Sequence, residues 1–207
     1  MAKIPVFDIG DTLIPSHNKI NEIIQQHIKD APEIDINKYN IYVPEQMNKW
    51  LDENDLDGSG EELTNAYLEW KSEYLKNEML PELKKINEDY GLIGFISDNS
   101  NAAKDFYRQN FESMELDYEG FVVSAEVGVE KPDPEIFQEF LKRREEPAEQ
   151  FVYFGNYVDR DSAAEHVGMN FVWVKQFYTF GSSTSKQPQI DKLTYTTVSK
   201  ALKEVDN

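Results

Sequence analysis

The first residue able to do chemistry is Asp8, which closes the apolar run Ile4-Pro5-Val6-Phe7 and opens the turn Ile9-Gly10-Asp11-Thr12. A short continuous apolar run is how a strand buried on both faces of a parallel sheet reads. Ligands of such sheets bind beyond the C-terminal ends of the strands. A carboxylate held there can attack phosphorus or carbon, or ligate a hard cation. Read without function, the same residues are ordinary turn chemistry. Three later segments repeat the pattern. Leu92-Ile93-Gly94-Phe95-Ile96 delivers the hydroxyl of Ser97, with Asp98 and Asn99 behind it. Phe121-Val122-Val123-Ser124 leads to Glu130-Lys131-Pro132-Asp133-Pro134. Phe151-Val152-Tyr153-Phe154 leads to Gly155-Asn156, then Asp159 and Asp161.

Taken in this order, the four motifs resemble the haloacid dehalogenase superfamily from Ile4 to about Val174, and the run from Lys131 to Phe137 is the most specific part. The resemblance implies an α/β fold, a Rossmann-like parallel sheet with an inserted all-helical cap. It also implies a Mg²⁺-dependent phosphatase acting on a small anionic phosphorylated metabolite, with Asp8 becoming an aspartyl-phosphate. Asp8, Ser97 and Lys131 are then catalytic, and Thr12, Asp98 and Asn99 bind substrate. Mg²⁺ prefers oxygen ligands and keeps several waters. Asp8, the carbonyl of Gly10, Asn156 and Asp161 are its candidate ligands, with Asp159 the alternative to Asp161.

Two positions depart from the phosphatase pattern. Gly10 stands where such enzymes carry an acid–base aspartate, and Asp11 stands where they carry glycine. Positioned acid–base groups contribute roughly 10²–10⁴-fold in rate, so this departure has weight. Asn156 replaces the first aspartate of the fourth motif, keeping an oxygen ligand but removing a charge. Absence of the second aspartate is also a feature of true haloacid dehalogenases, and His17 lies where they often have a histidine. Those enzymes, however, use an arginine early in the cap, and the first arginine here is Arg108. Dehalogenation is therefore the second reading, and a binding protein on an impaired enzyme fold the third.

The elements that must position these groups alternate between strand and helix after residue 90, as in a parallel sheet covered on both faces. Before that, helical spacing runs through Ile20, Ile23, Ile24, His27 and Ile28, and again through Leu63, Ala66, Tyr67, Trp70 and Tyr74. Pro44 marks one helix start, and Ser59 with Glu62 forms a capping-box pattern at another. Pro81 opens a further helix that closes at Gly91. The division expected is a core of residues 1–14 and 80–207 and a helical cap of 15–79. Within the cap, Trp50, Tyr67, Trp70 and Tyr74 form a stripe that suits core packing better than a pocket wall. Gln176 to Gln189 reads as a polar loop and Thr197 to Val205 as a closing helix.

The 207 residues carry 39 acidic and 21 basic side chains, a formal net charge of −18. With the basic residues scattered, no nucleic-acid partner is expected. Such an excess fits an ordinary acidic protein or one adapted to high salt. No run is long and apolar enough to span a membrane, and no charged-then-apolar leader precedes the first strand. With no cysteine there is neither a disulfide nor a thiol nucleophile. Cytoplasmic residence, as a monomer or homodimer, is the expectation.

Overall fold

The structure, a computed structural model, describes residues 3–177 and 188–205. The four apolar runs are strands: β1 (Ile4–Phe7), β2 (Ile93–Ser97), β3 (Tyr118–Val123) and β4 (Phe151–Gly155). With β5 (Asn170–Val174) and β6 (Gln189–Ile190) they form one parallel sheet in the order β3-β2-β1-β4-β5-β6. Every residue of β1, β2 and β4 is buried, which is why these strands read as unbroken apolar runs. Alternate side chains enter opposite cores: Phe7, Phe95 and Phe154 on one face, Val6, Ile96 and Tyr153 on the other. The strand order reverses between β1 and β4, and that switch point is where a sheet of this kind opens a crevice for ligands.

The first three helices after β1 are α1 (Ser16–His27), α2 (Pro44–Glu53) and α3 (Gly60–Tyr74). They share a separate cluster of buried side chains that includes Ile20, Ile24, Met47, Trp50, Leu63 and Tyr67. Each large apolar side chain buried in this way contributes about 1.5–3 kcal/mol. Ser59 Oγ accepts the Glu62 N–H at 3.3 Å, which forms the serine half of the capping pattern. The expected break before Pro81 is replaced by a near-continuous helix. After α3 the chain makes one π-helical turn, Leu75–Met79, and runs on as α4 (Leu80–Tyr90). Pro81 offers no N–H to a regular α-turn, and the wider turn, with Leu80 N–H donating to Leu75 O, accommodates it. The helix stops at Gly91, φ +77°, a backbone angle that side chains resist.

The remaining helices cover the sheet: α5 (Asn101–Ser113), α6 (Ser124–Val127), α7 (Glu135–Leu141), α8 (Val158–Asp161) and α9 (Tyr195–Val205). Ser100 Oγ accepts the Ala103 N–H at 3.1 Å and so caps α5. Gln189, read from sequence as loop, instead starts β6, whose backbone pairs with Trp173 and Val174. Gly181 to Ser185 lie outside the described residues. Among the described residues no helix is long and apolar enough to cross a membrane.

Candidate active site

Asp8 is the first residue past β1, and its N–H still donates to Phe154 O at 2.9 Å, so the carboxylate is carried on the rigid end of the β1–β4 ladder. The turn after it is closed by Asp11 N–H to Ile14 O at 2.7 Å and Thr12 N–H to Ile9 O at 3.3 Å. Asp11 has φ +53°, the left-handed conformation that explains why glycine is the pattern residue at this place. Aspartate is among the few other types that adopt it readily. The turn folds Thr12 back beneath Asp8. Its hydroxyl lies 3.3 Å from Asp8 Oδ2 and 3.2 Å from Asn156 Oδ1, and bridges the first and fourth motifs.

Lys131 reaches the same point from the loop after α6. Its Nζ lies 3.2 Å from Asp8 Oδ1, 2.7 Å from Asp161 Oδ1, 3.0 Å from Tyr153 Oη and 4.0 Å from Asp98 Oδ2. Burial by itself would push its pKa down, but the carboxylates of Asp161 and Asp8 outweigh that and hold the ammonium charged far above its usual range. Asp98 Oδ1 accepts the Lys131 backbone N–H at 3.0 Å, and its Oδ2 pairs with Arg160 at 3.0 Å. Arg160 Nε in turn donates to Lys131 O at 2.6 Å, so the lysine is held by both its backbone and its head group. Burial raises the pKa of Asp98, opposed chiefly by Lys131.

Asp161 is completely buried at the site, whereas Asp159 is exposed. Its Oδ1 meets Lys131 and its Oδ2 accepts the Tyr157 N–H at 2.8 Å. Burial lifts its pKa to about 6 despite Lys131. Gly155 makes this approach possible: a Cβ there would fall 2.4 Å from Asp161 Oδ2. Ser97, buried at the end of β2, accepts from Asn99 Nδ2 at 3.1 Å, which leaves its own proton to donate. Asn99 is itself fixed by Ser124, whose hydroxyl accepts the Asn99 N–H at 3.1 Å.

Asp8, Ser97, Asp98, Asn99, Lys131, Asn156 and Asp161 thus gather around one cavity of about 950 Å³, together with Gly10. Thr12 lies just beneath it. For a divalent cation, the oxygens of Asp8 and Asn156 converge through Thr12, and the Gly10 backbone borders the same space. This hard-oxygen set of one carboxylate, one amide and one carbonyl suits Mg²⁺ that keeps water in its shell. Asp161, also expected in that set, lines the same cavity and meets Lys131 through Oδ1 and the Tyr157 N–H through Oδ2. No cluster of three or more acidic, histidine or cysteine side chains arranged to hold a metal is found among the described residues. The side chain of His17 lies outside the described residues.

The helical segment forms the facing wall with Tyr42, Tyr67 and Lys71. Lys71, on α3, is buried and donates to the hydroxyls of Tyr42 and, at 2.7 Å, Tyr107. Burial pushes its pKa down to about 7. Sequence reasoning missed Lys71, Tyr42, Tyr153 and Arg160. A signal for Lys71 existed, since it falls four residues after Tyr67 and one after Trp70 on the apolar stripe of its helix. Trp50 is core, as its spacing suggests, whereas Tyr67 is both core and cavity wall.

Residues 3–168 match the haloacid dehalogenase-like hydrolase family. Among curated proteins, the chain is 27% identical over 199 residues to a glyceraldehyde 3-phosphate phosphatase of Methanopyrus kandleri, covering 85% of each. Among solved structures it resembles a putative beta-phosphoglucomutase of Thermotoga maritima (18% identity, TM-score 0.63, covering 98% of this chain and 99% of the other). It also resembles the 2-haloacid dehalogenase of Pseudomonas syringae pv. Tomato (18% identity, TM-score 0.58, covering 99% of each). The structural likenesses speak for the fold alone. A carboxylate-bearing strand end at the switch point of a 3-2-1-4-5-6 sheet, together with a family match over most of the chain, places this protein among the haloacid dehalogenase-like hydrolases.

Proposed function

We propose that the protein is a Mg²⁺-dependent phosphatase of small phosphorylated metabolites, with Asp8 as its nucleophile. The observation that carries this reading is the contact of Lys131 Nζ with Asp8 Oδ1 at 3.2 Å, at the mouth of the cavity where the sheet reverses. An Asp8 oxygen attacks phosphorus, and the bond from phosphorus to the leaving oxygen breaks, which gives an aspartyl-phosphate. Water then attacks that phosphorus, releasing inorganic phosphate and restoring the carboxylate. Lys131 and the free proton of Ser97 supply positive charge and a hydrogen bond to the phosphoryl oxygens as negative charge develops there. Asp161, Asp98 and Arg160 position Lys131 rather than touch substrate.

Charge balance supports a cation. Asp8, Asp98 and Asp161 already exceed Lys131 and Arg160, and a phosphate dianion adds to that excess. Asp8, the Gly10 carbonyl and Asn156 would hold Mg²⁺, which neutralises phosphoryl oxygens when bound. The relative named a glyceraldehyde 3-phosphate phosphatase supports a small phosphate ester as substrate. Residues 15–79 act as a cap that closes over the substrate, a role consistent with their separate hydrophobic cluster and their face on the cavity.

The test is turnover of acetyl phosphate with Mg²⁺ and with EDTA, run beside chloride release from 2-chloropropionate. Phosphate release that EDTA stops is the expected result. Chloride release without phosphate release would move the chemistry to carbon, and neither would leave a binding protein.

A further inference from the structure

Three cations are buried among the described residues: Lys71, Lys131 and Arg144. Lys131 meets a carboxylate at 2.7 Å and Arg144 meets one at 2.8 Å. Among the described residues, Lys71 has none within the 4.0 Å of an ion pair. Its surroundings are aromatic, with its Nζ 4.8 Å from the ring centres of Tyr42 and Tyr67 and 5.2 Å from that of Tyr107. The rings offset part of the desolvation of the charge. They do not complete its hydrogen bonds. An ammonium has three donors, and the hydroxyls of Tyr42 and Tyr107 take two.

Beside it, the hydroxyl of Tyr67 is buried and makes no hydrogen bond. Ser16 lies near that hydroxyl without reaching hydrogen-bond geometry. Buried polar groups without partners are rare in folded proteins and need a reason. Both side chains border the cavity that holds Asp8 and Lys131. Two open donors and an unpaired positive charge, walled by aromatic rings, suit one ligand chemistry: an anionic oxygen.

We propose that Lys71 and Tyr67 form a second binding point that takes the carboxylate of a phosphate monoester whose phosphoryl group lies at Asp8 and Lys131. This rests on the phosphatase reading for the position of the phosphoryl end only. Asp11 acts electrostatically on both Lys71 and Tyr67, and Asp8 on Tyr107. The two ends of one cavity are therefore within electrostatic reach of each other, and the proposal requires a substrate of a few carbons to join them. The substrate class is a short phosphorylated carboxylic acid, distinct from the aldehyde in the name of the curated relative.

The experiment measures binding to the full chain carrying Asp8→Asn, so that no turnover is needed. The probes are 3-phosphoglycerate and glycerol 3-phosphate, which share a carbon skeleton and a phosphate and differ in the carboxylate. Calorimetry should find 3-phosphoglycerate about 10- to 100-fold tighter, the worth of a hydrogen bond to a charged group. Adding Lys71→Met should shrink that ratio to within about threefold, whereas Lys71→Arg should keep most of it. Equal affinities in the Asp8→Asn protein would overturn the inference, as would a Lys71→Met protein with native circular dichroism that keeps the full preference. A Lys71→Met change that weakens both ligands alike would also overturn it, because the lysine would then be structural. Glycerate, a carboxylate without phosphate, separates this inference from the reading beneath it. If the phosphoryl end is misassigned, both phosphates lose their advantage over glycerate, yet glycerate still binds in a Lys71-dependent way in an NMR titration. Glycerate binding that ignores Lys71 would sink the second binding point whatever the fate of the phosphatase.

Discussion

Two lysines are buried on opposite walls of one cavity, and their surroundings drive them in opposite directions. Lys131 stands among Asp8, Asp98 and Asp161 at the strand ends, and those charges hold it protonated. Lys71 stands among Tyr42, Tyr67 and Tyr107 with no carboxylate in contact, and burial drops its pKa to about 7. Desolvation disfavours both charges, so the neighbours decide the outcome. The wall built from the sheet is electrostatically complete without ligand; the wall built from helices is not. In the proposed function, that asymmetry divides the wall that carries out the chemistry from the wall that selects the substrate.

The strongest way to break the comparison is at Asp8, the proposed nucleophile. Asp8→Asn should lower turnover of acetyl phosphate by about 10⁴-fold or more, because an amide cannot form the acyl phosphate. Retained activity in stopped assays would move the chemistry away from the strand-end wall. Gly10→Asp sharpens the comparison by adding an acid–base side chain at the position where the phosphatase pattern carries one. A Cβ at Gly10 would meet only Ser16 Oγ, at 4.0 Å, so the turn admits a Cβ there without a clash. Without that side chain, acyl and aryl phosphates should be hydrolysed much faster than alkyl phosphates, whose leaving groups need protonation. The variant should raise alkyl phosphate turnover by up to about 10²–10⁴-fold with little gain on nitrophenyl phosphate. A wild-type enzyme that hydrolyses both classes equally fast, with chemistry limiting, would mean that another group, Asp11 first, already donates the proton.

Removing each lysine in turn should give unequal losses. Lys131→Met should lower phosphate hydrolysis by about 10²–10³-fold. It should also cost about 3–5 kcal/mol of stability in urea unfolding, since Asp161 and Asp8 would stay buried without their cation. Lys71→Met leaves no carboxylate stranded, and Tyr42 and Tyr107 still bond each other at 2.9 Å. Its stability should fall by less than about 1 kcal/mol, or rise. Equal destabilisation by the two substitutions would contradict the asymmetry.

The smallest effect is one of pH. Lys71 titrates near 7 when folded and near its ordinary 10.5 when unfolded, so between these values the unfolded chain binds more protons and stability rises with pH. Below about pH 7 the penalty is fully present. Lys131 has the opposite sign, because its raised pKa adds stability that is lost only at strongly alkaline pH. Lys71→Met should therefore melt higher than wild type at pH 6, and the gap should narrow by pH 9. A gap independent of pH would show that Lys71 is not a desolvated charge.

Much of the strand-end wall was readable in the sequence. Asp8, Ser97, Lys131 and the Asn156 segment each follow a run of buried strand residues, and parallel pairing brings such ends to one edge without further information. Proline and glycine marked α2 and the end of α4 for equally local reasons. The join of α3 to α4 was not readable, because a π-helical turn that absorbs Pro81 has no pattern of its own in the sequence.

The sequence by itself determined the sheet, the order of its motifs and the chemical types set along one edge, since apolar runs and turn residues act over a few positions. Only the tertiary structure decided which acid holds Lys131. Asp159 and Asp161 share one short helix, and only the close approach over Gly155 turns Asp161 inward while Asp159 stays in solvent. Only the tertiary structure, too, gave Lys71 its character. Tyr42, Tyr67 and Tyr107 come from a loop and two different helices, and no local rule announces that they surround one ammonium. Burial and long-range contact set the charge of a lysine, and neither is a property of its neighbours in the chain.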